Sequence, residues 1–213
     1  VIKAKADAKL VLDAAVAYSV AGTITADQAD SIATTTTGAV TATIAADTAA
    51  KLKDALSDTT GANVYTLTVN GATATATDLI ALRTKAGTAG TVKVDAKEIS
   101  GLLADVTTVV VTNTGSQFIA LGSENIKISN TVTADPTNLN NILAATTGVV
   151  TATVAADTAA NLVANVANAT AKDALTLVTT NAAATAAQLL ALDDKTSVKV
   201  DATAIIANGI TGS

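Results

Sequence analysis

Apolar and polar residues alternate along much of this chain in short runs. In an extended run at 40–44, Val40, Ala42 and Ile44 point one way and Thr41 and Thr43 the other. Val92 and Val94 oppose Thr91, Lys93 and Asp95. Ile126 and Ile128 oppose Asn125, Lys127 and Ser129, and Val198 and Val200 oppose Ser197, Lys199 and Asp201. A period of two marks a strand with one face packed and one face in water. Such β-like runs recur at 1–5, 16–20, 40–44, 64–69, 91–95, 107–112, 125–129, 149–154, 174–179 and 197–201. Only the run around Val109-Val110-Val111 is apolar on both sides.

Between the runs lie segments with helix start signals. Asp47, Asp157, Thr77 and Thr185 stand where an N-cap oxygen would accept a bond from an unpaired backbone N–H. Asp95 and Glu98 have capping-box spacing, and Asp135-Pro136 places a cap before proline at the first helical position. Ala160, Leu162, Val163 and Val166 form roughly one apolar stripe after Asp157. The pattern predicts a single repetitive domain over residues 1–213, built of about ten strand–helix units. Strand–helix–strand connections imply parallel strands joined by right-handed crossovers.

A parallel sheet covered on both faces has near-continuous apolar strands, and these alternate instead. The expected fold is therefore an α/β solenoid, a parallel sheet with short helices on one face. A doubly wound parallel α/β domain is the alternative. The units are also shorter than the roughly 30 residues of a full strand–helix–strand unit.

The chain duplicates itself. Residues 35–56, TTTGAVTATIAADTAAKLKDAL, match 145–166, ATTGVVTATVAADTAANLVANV, at an offset of 110 from Gly38 to Gly148. TVKVDA at 91–96 then matches SVKVDA at 197–202, so the duplication runs from 35–101 to 145–207.

Composition sharpens this picture. The 213 residues include 49 Ala and 39 Thr but no His, Cys, Met or Trp. Small alanines let a helix lie close to a sheet and have the best helix propensity, while Thr suits the pleat and keeps an open face wet. Without His or Cys there is no Ser-His-Asp or Cys-His catalysis, no zinc site of the usual kind and no disulfide. The chain is read as not an enzyme. Two Tyr and one Phe offer no stacking platform for bases. A net charge of −5 gives no footprint for nucleic acid, and no apolar run approaches the roughly 18 residues of a membrane helix. No membrane insertion is expected. The chain starts at Val1, which suggests a processed product or a piece of something larger.

VTATVAADTAANLVANV (150–166) and ATAAQLLALDDKTSVKVDA (184–202) resemble repeats of very large secreted bacterial surface proteins. These are the RTX-type adhesins and the giant cell-surface or S-layer-like proteins of cyanobacteria and proteobacteria. The resemblance covers most of the chain. It implies a structural or adhesive role outside the cell. The glycine-rich calcium nonapeptide of that family is not in this sequence, so no cofactor is carried over.

Candidate chemistry is sparse. Most of the 16 Asp stand singly, and Asp193-Asp194 is the adjacent acidic pair that a calcium contact would use. Asn168-Ala169-Thr170 fits a glycosylation sequon, but one match in a Thr-rich chain is close to chance. The more informative surface is the open sheet face: Thr41, Thr43, Thr66, Thr68, Lys93, Asp95, Lys127, Thr151, Thr153, Lys199 and Asp201. Its TxT pairs resemble the ice-binding arrays of solenoidal antifreeze proteins, but a flat ice site would hardly accept these charges. Lys93, Lys127 and Lys199 are also expected to share that face, as a stripe.

The expected function is a structural extracellular protein: a segment of a cell-surface adhesin, surface layer or matrix fibre. Its expected partner is itself, through end-to-end stacking of uncapped ends onto a copy or neighbouring repeats. The alternative is a module binding a surface glycan or protein through the open Thr/Lys/Asp face.

Overall fold

Thr25, Thr48, Thr75, Thr158 and Thr185 each leave the extended region just before a helix and accept a bond from the backbone N–H three residues on. Those bonds satisfy amides that a helix start leaves unpaired. Thr25 and Thr185 complete capping boxes with Gln28 and Gln188. The cap of the repeated DTAA motif is therefore Thr, not the expected Asp47 or Asp157. Those aspartates instead accept the Thr48 and Thr158 amides at 2.8 and 2.7 Å. Thr75 likewise takes the role expected of Thr77.

The computed structural model describes residues 15–57, 62–112, 117–133, 136–180, 182–207 and 209–212. The expected strand at 1–5 and the cap at Asp135 lie outside them. The protein is α/β, with parallel sheets and short helices. Among the described residues no helix is long and apolar enough to cross a membrane. The chain divides into two compact units, Val1–Lys97 with Asn113–Leu121, and Glu98–Thr112 with Gly122–Ser213.

The first unit holds strands β1 (Tyr18–Ile24), β2 (Val40–Ile44), β3 (Val64–Val69), β4 (Thr73–Thr75), β5 (Thr91–Val94) and β7 (Phe118–Ile119). β1, β2, β3, β5 and β7 form one parallel sheet in that order. Helices α1 (Ala26–Ala33), α2 (Ala49–Ala55) and α3 (Ala76–Ala86) connect its strands. The alternation holds: Val40, Ala42 and Ile44 are buried, and Thr41 and Thr43 are exposed. The helices contribute small and branched residues to the same core, among them Ala29, Ile32, Ala49, Leu52, Leu79 and Leu82. Lys53 on α2 pairs with Asp78 on α3 at 2.8 Å.

The second unit holds β6 (Glu98–Gly101), β8 (Asn125–Ile128), β9 (Val150–Thr153), β10 (Ala174–Thr176), β11 (Ala184–Thr185) and β12 (Ile210–Thr211). Parallel pairing joins β6, β8, β9 and β10 in that order, and β11 with β12. Its helices are α4 (Leu103–Thr107), α5 (Pro136–Ala145), α6 (Ala159–Asn165) and α7 (Ala186–Asp193), with a 3-10 turn at Thr203–Ala207. Pro136 is indeed the first helical residue of α5. In α6, Leu162 is buried and Val163 half-buried, whereas Ala160 is exposed.

Two expectations fail here. The β-like run at 107–112 is helical: α4 runs on into a π-helical turn at Thr108–Thr112. Val106, Val109 and Val110 are buried at helical spacing, and the Thr107 and Thr108 hydroxyls donate to Leu103 O and Ala104 O. The β-branched residues thus form a helix stripe, and tertiary packing overrides their strand preference. Asp95 and Glu98 do not cap a helix. Glu98 begins β6, and the Asp95 carboxylate pairs with Lys93.

The buried polar residues gather where strands begin. The Thr36 hydroxyl donates to Val16 O and accepts from Gly38 N. Thr146 repeats this with Glu124 O and Gly148 N. Thr196 donates to Leu175 O and accepts the Val198 amide. Asn63 and Asp173, at the 110-residue offset, accept the first amides of the preceding strands, Val40 N and Val150 N, each at 2.9 Å. The hydroxyl bonds to Val16 O, Glu124 O and Leu175 O and the two borrowed strand amides join one strand–helix unit to the next. The bonds from Gly38, Gly148 and Val198 close the local turn.

At Thr36 and Thr146 the corner leaves no room for a side chain, whereas Val198 holds the equivalent place beside Thr196. A Cβ on Gly148 would lie 2.2 Å from Glu124 O, and one on Gly38 2.5 Å from Val16 O. Gly148→Ala is expected to lower unfolding free energy by about 1–3 kcal/mol. Gly212, whose Cβ would meet nothing within 4 Å, is the control, and Gly212→Ala should stay within about 0.5 kcal/mol. Urea denaturation reads both.

The Lys53 ammonium beside Asp78 holds its carboxyl below the usual carboxylate range and is itself pushed up. A lowered carboxyl stabilises the fold above its unfolded pKa, and that contribution fades as pH falls through the folded value. Asp78→Asn is therefore expected to flatten the acid limb of stability below about pH 4, measured by thermal unfolding against pH.

Candidate functional site

Parallel pairing sets the sheet face residue by residue, since strands lie about 4.8 Å apart. In the first unit Thr43 stands opposite Thr66, and Thr66 opposite Thr91. On the other side Thr43 faces Thr23. The result is a row of four threonines across β1, β2, β3 and β5. Thr23, Thr43 and Thr66 are exposed and Thr91 half-buried. Ser19 and Thr41 extend the face along the strands.

Thr23 was not legible as a member of this row. The β-like run at 16–20 stops short of it. The pairing register shifts between Ser19 and Thr23, and Gly22 inside the shift adopts φ +81°. Glycine visits that region at little cost, so the strand absorbs extra residues and regains register with Thr43. The sequence signal was Gly22 within an alternating run, which commonly marks a bulge.

Charge enters the face one step further along the strands, beside the hydroxyl row. Lys93 stands opposite Thr68 on one side and Ile119 on the other. Its ammonium binds the Asp95 carboxylate at 2.8 Å, with both side chains about half exposed. Such a surface pair contributes little to stability, about 0–1 kcal/mol. Thr68 is half-buried, while Thr41, Thr43, Thr66, Lys93 and Asp95 are exposed.

The remaining candidates lie on the second unit. Lys127 stands opposite Thr151, and Thr153 opposite Thr176. All four are exposed. Lys199 and Asp201 lie on the outer run that bridges Val178, so β9 and β10 stand between them and Lys127 on β8. Lys127 and Lys199 are therefore not neighbours, and the lysines build no contiguous stripe.

Asp201 has the most defined surroundings of the charged candidates. Its carboxylate accepts the Thr203 hydroxyl at 2.7 Å and the Thr203 amide at 3.0 Å. The Thr203 hydroxyl, then its amide, holds the Asp201 carboxyl below the usual range. The other acidic candidates are ordinary surface. Asp193 closes α7 and Asp194 is its C-cap, both exposed. Among the described residues no three metal-ligating side chains converge. The sequon is also occupied by structure: Asn168 Nδ2 donates to Asn140 O at 3.0 Å, and the Thr170 hydroxyl donates to Asp173.

The face therefore offers rows of hydroxyls, each both donor and acceptor, with isolated charges at the margins. Thr203→Val removes the hydroxyl that stabilises the Asp201 carboxylate, so its pKa should rise toward the ordinary aspartate value in a side-chain carboxyl NMR titration. An unchanged Asp201 titration would contradict the assigned geometry.

No known protein family, curated protein or solved structure matches this chain.

Proposed function

We propose that this chain is a structural building block of an extracellular bacterial assembly: a segment of a cell-surface adhesin, surface layer or matrix fibre. In this reading its strand–helix units continue as an α/β solenoid and stack end to end onto further copies. The observation that carries it is the recurring joint between units. The same Thr-centred corner appears at Thr36, Thr146 and Thr196, and the same borrowed amide bond at Asn63 and Asp173. At these five residues buried polar chemistry joins one unit to the next, which is the requirement of a material that extends by repetition.

A second reading uses the threonine row to bind a surface glycan or partner protein. It ranks below the first because sugar faces usually pack on aromatic rings. Tyr65 and Phe118 are fully buried in the core, and Tyr18 on β1 is the remaining aromatic residue.

Sedimentation velocity and negative-stain electron microscopy over rising protein concentration test the first reading. Linear assemblies that lengthen with concentration are expected. A protein that stays monomeric throughout overturns it, and specific hits on a glycan array would favour the second. The location is tested separately, by the loss of the chain when intact producing cells are treated with protease.

A further inference from the structure

Asparagine is followed by glycine twice in this chain, at Asn70-Gly71 and at Asn208-Gly209. The two glycine amides differ. Gly209 N donates to Ile205 O at 3.1 Å. Asn70 and Gly71 lie in the turn between β3 and β4, and both are exposed. Among the described residues neither the Gly71 amide nor the Asn70 side chain has a hydrogen-bond partner. A free carboxamide thus stands next to a free main-chain amide that no side chain shields.

The internal duplication shows that the turn does not need this pair. Asn70 N donates to Asp47 O at 3.0 Å, and at the 110-residue offset Thr180 N donates to Asp157 O at 2.8 Å. The second copy builds the same main-chain bond with threonine. What Asn70 brings to the first copy is therefore its chemistry.

We infer that Asn70-Gly71 is a self-modification site, which converts slowly to aspartate and isoaspartate. Gly71 N gives up its proton and attacks Asn70 Cγ. The new N–Cγ bond closes a succinimide ring, the Cγ–Nδ2 bond breaks, and the side-chain nitrogen leaves as ammonia with the displaced proton. Water then adds to one ring carbonyl, and the bond from that carbon to Gly71 N breaks as the nitrogen regains a proton. Opening at Cγ leaves aspartate. Opening at the main-chain carbonyl of residue 70 leaves isoaspartate, with the chain running through the former side chain. Nothing is oxidised or reduced, and water is the co-reactant. A bonded amide such as that of Gly209 must first give up its partner. The turn is tied on both sides, by Asn70 N to Asp47 O and by Lys97 N to Gly71 O at 3.3 Å. Isoaspartate lengthens the main chain by one carbon between those bonds and adds a carboxylate, so it loosens the joint between neighbouring units.

The test holds the full chain folded in mildly alkaline buffer, and separately in urea, and samples both over weeks. Peptide mapping by mass spectrometry locates the products, and enzymatic methylation of isoaspartate counts them. In the folded chain conversion at Asn70 is expected to outpace that at Asn208 severalfold or more. In urea the two rates should converge, because both sites then offer the same dipeptide in an open chain. Asn70→Gln, whose longer side chain needs a larger ring, should lose the conversion at residue 70 while its circular dichroism stays unchanged. In the isoaspartate form the amides of residues 70 and 97 should exchange hydrogen faster than in the unmodified chain. An Asn70 that stays intact in the folded chain while it converts in urea overturns the inference. So do equal rates at both sites in the folded chain, or ammonia loss that persists undiminished at residue 70 in Asn70→Gln. Unchanged exchange at residues 70 and 97 overturns the loosening of the joint.

Discussion

Parallel strands cannot be joined by a tight reversal, and that constraint governs this protein. Between one strand of a parallel pair and the next the chain must pass through a helix and return to a point one strand spacing away, about 4.8 Å along the sheet. It does so in few residues, so the return corner is cramped and its amides are shut away from water. An unpaired buried amide costs about 1–3 kcal/mol. Short side-chain oxygens at Thr36, Asn63, Thr146, Asp173 and Thr196 take those amides or anchor the turn. Glycine at 38 and 148 lets the backbone pass within what would otherwise be a clash.

The same lack of space explains the alanines. Ala29, Ala49, Ala76 and Ala159 are each buried at or near a helix start or along a packed face. Larger residues there would hold helix and sheet apart and stretch the corner bonds. Leu52, Leu79, Leu82 and Leu162 fill the wider middle of the layer. Thr then serves on both sides of the problem. Its hydroxyl caps helices and seals corners, and its branched Cβ suits the exposed face of the strand.

Sequence reasoning read the strands well where one face is packed and one is wet. The alternation at 40–44, 91–94 and 125–128 recurs in the burial of each residue. It misread 107–112, because three consecutive valines carry strand preference but fit a helix stripe when Val106, Val109 and Val110 are counted together. It passed over β4, β6 and β11, which are two to four residues long and too short to show a period. The caps shifted by one or two residues because Asp and Thr lie side by side in the DTAA motif, and composition alone does not choose between two good acceptors. The sheet face was legible in its exposed members. The row through Thr23 was not, since it depends on a bulge whose length only the paired strand reveals.

The order of strands in the first sheet has a mechanical consequence. β1, β2, β3, β5 and β7 follow one another across the sheet in the order in which the chain makes them. Each strand is bonded to the strands before and after it in that order, with β4 and β6 passed over, and the bonds point across the strands toward those neighbours. Tension drawn through the backbone from the β1 side reaches one strand pair before it reaches the next. It peels the sheet open like a zipper instead of shearing all rungs at once. Such an element yields early and lengthens in steps, and the nearest-neighbour character of its contacts lets each released piece re-form on the template left behind. Under the proposed structural role, such an element would absorb a pull by giving way in increments, with the uncoupled remainder still folded.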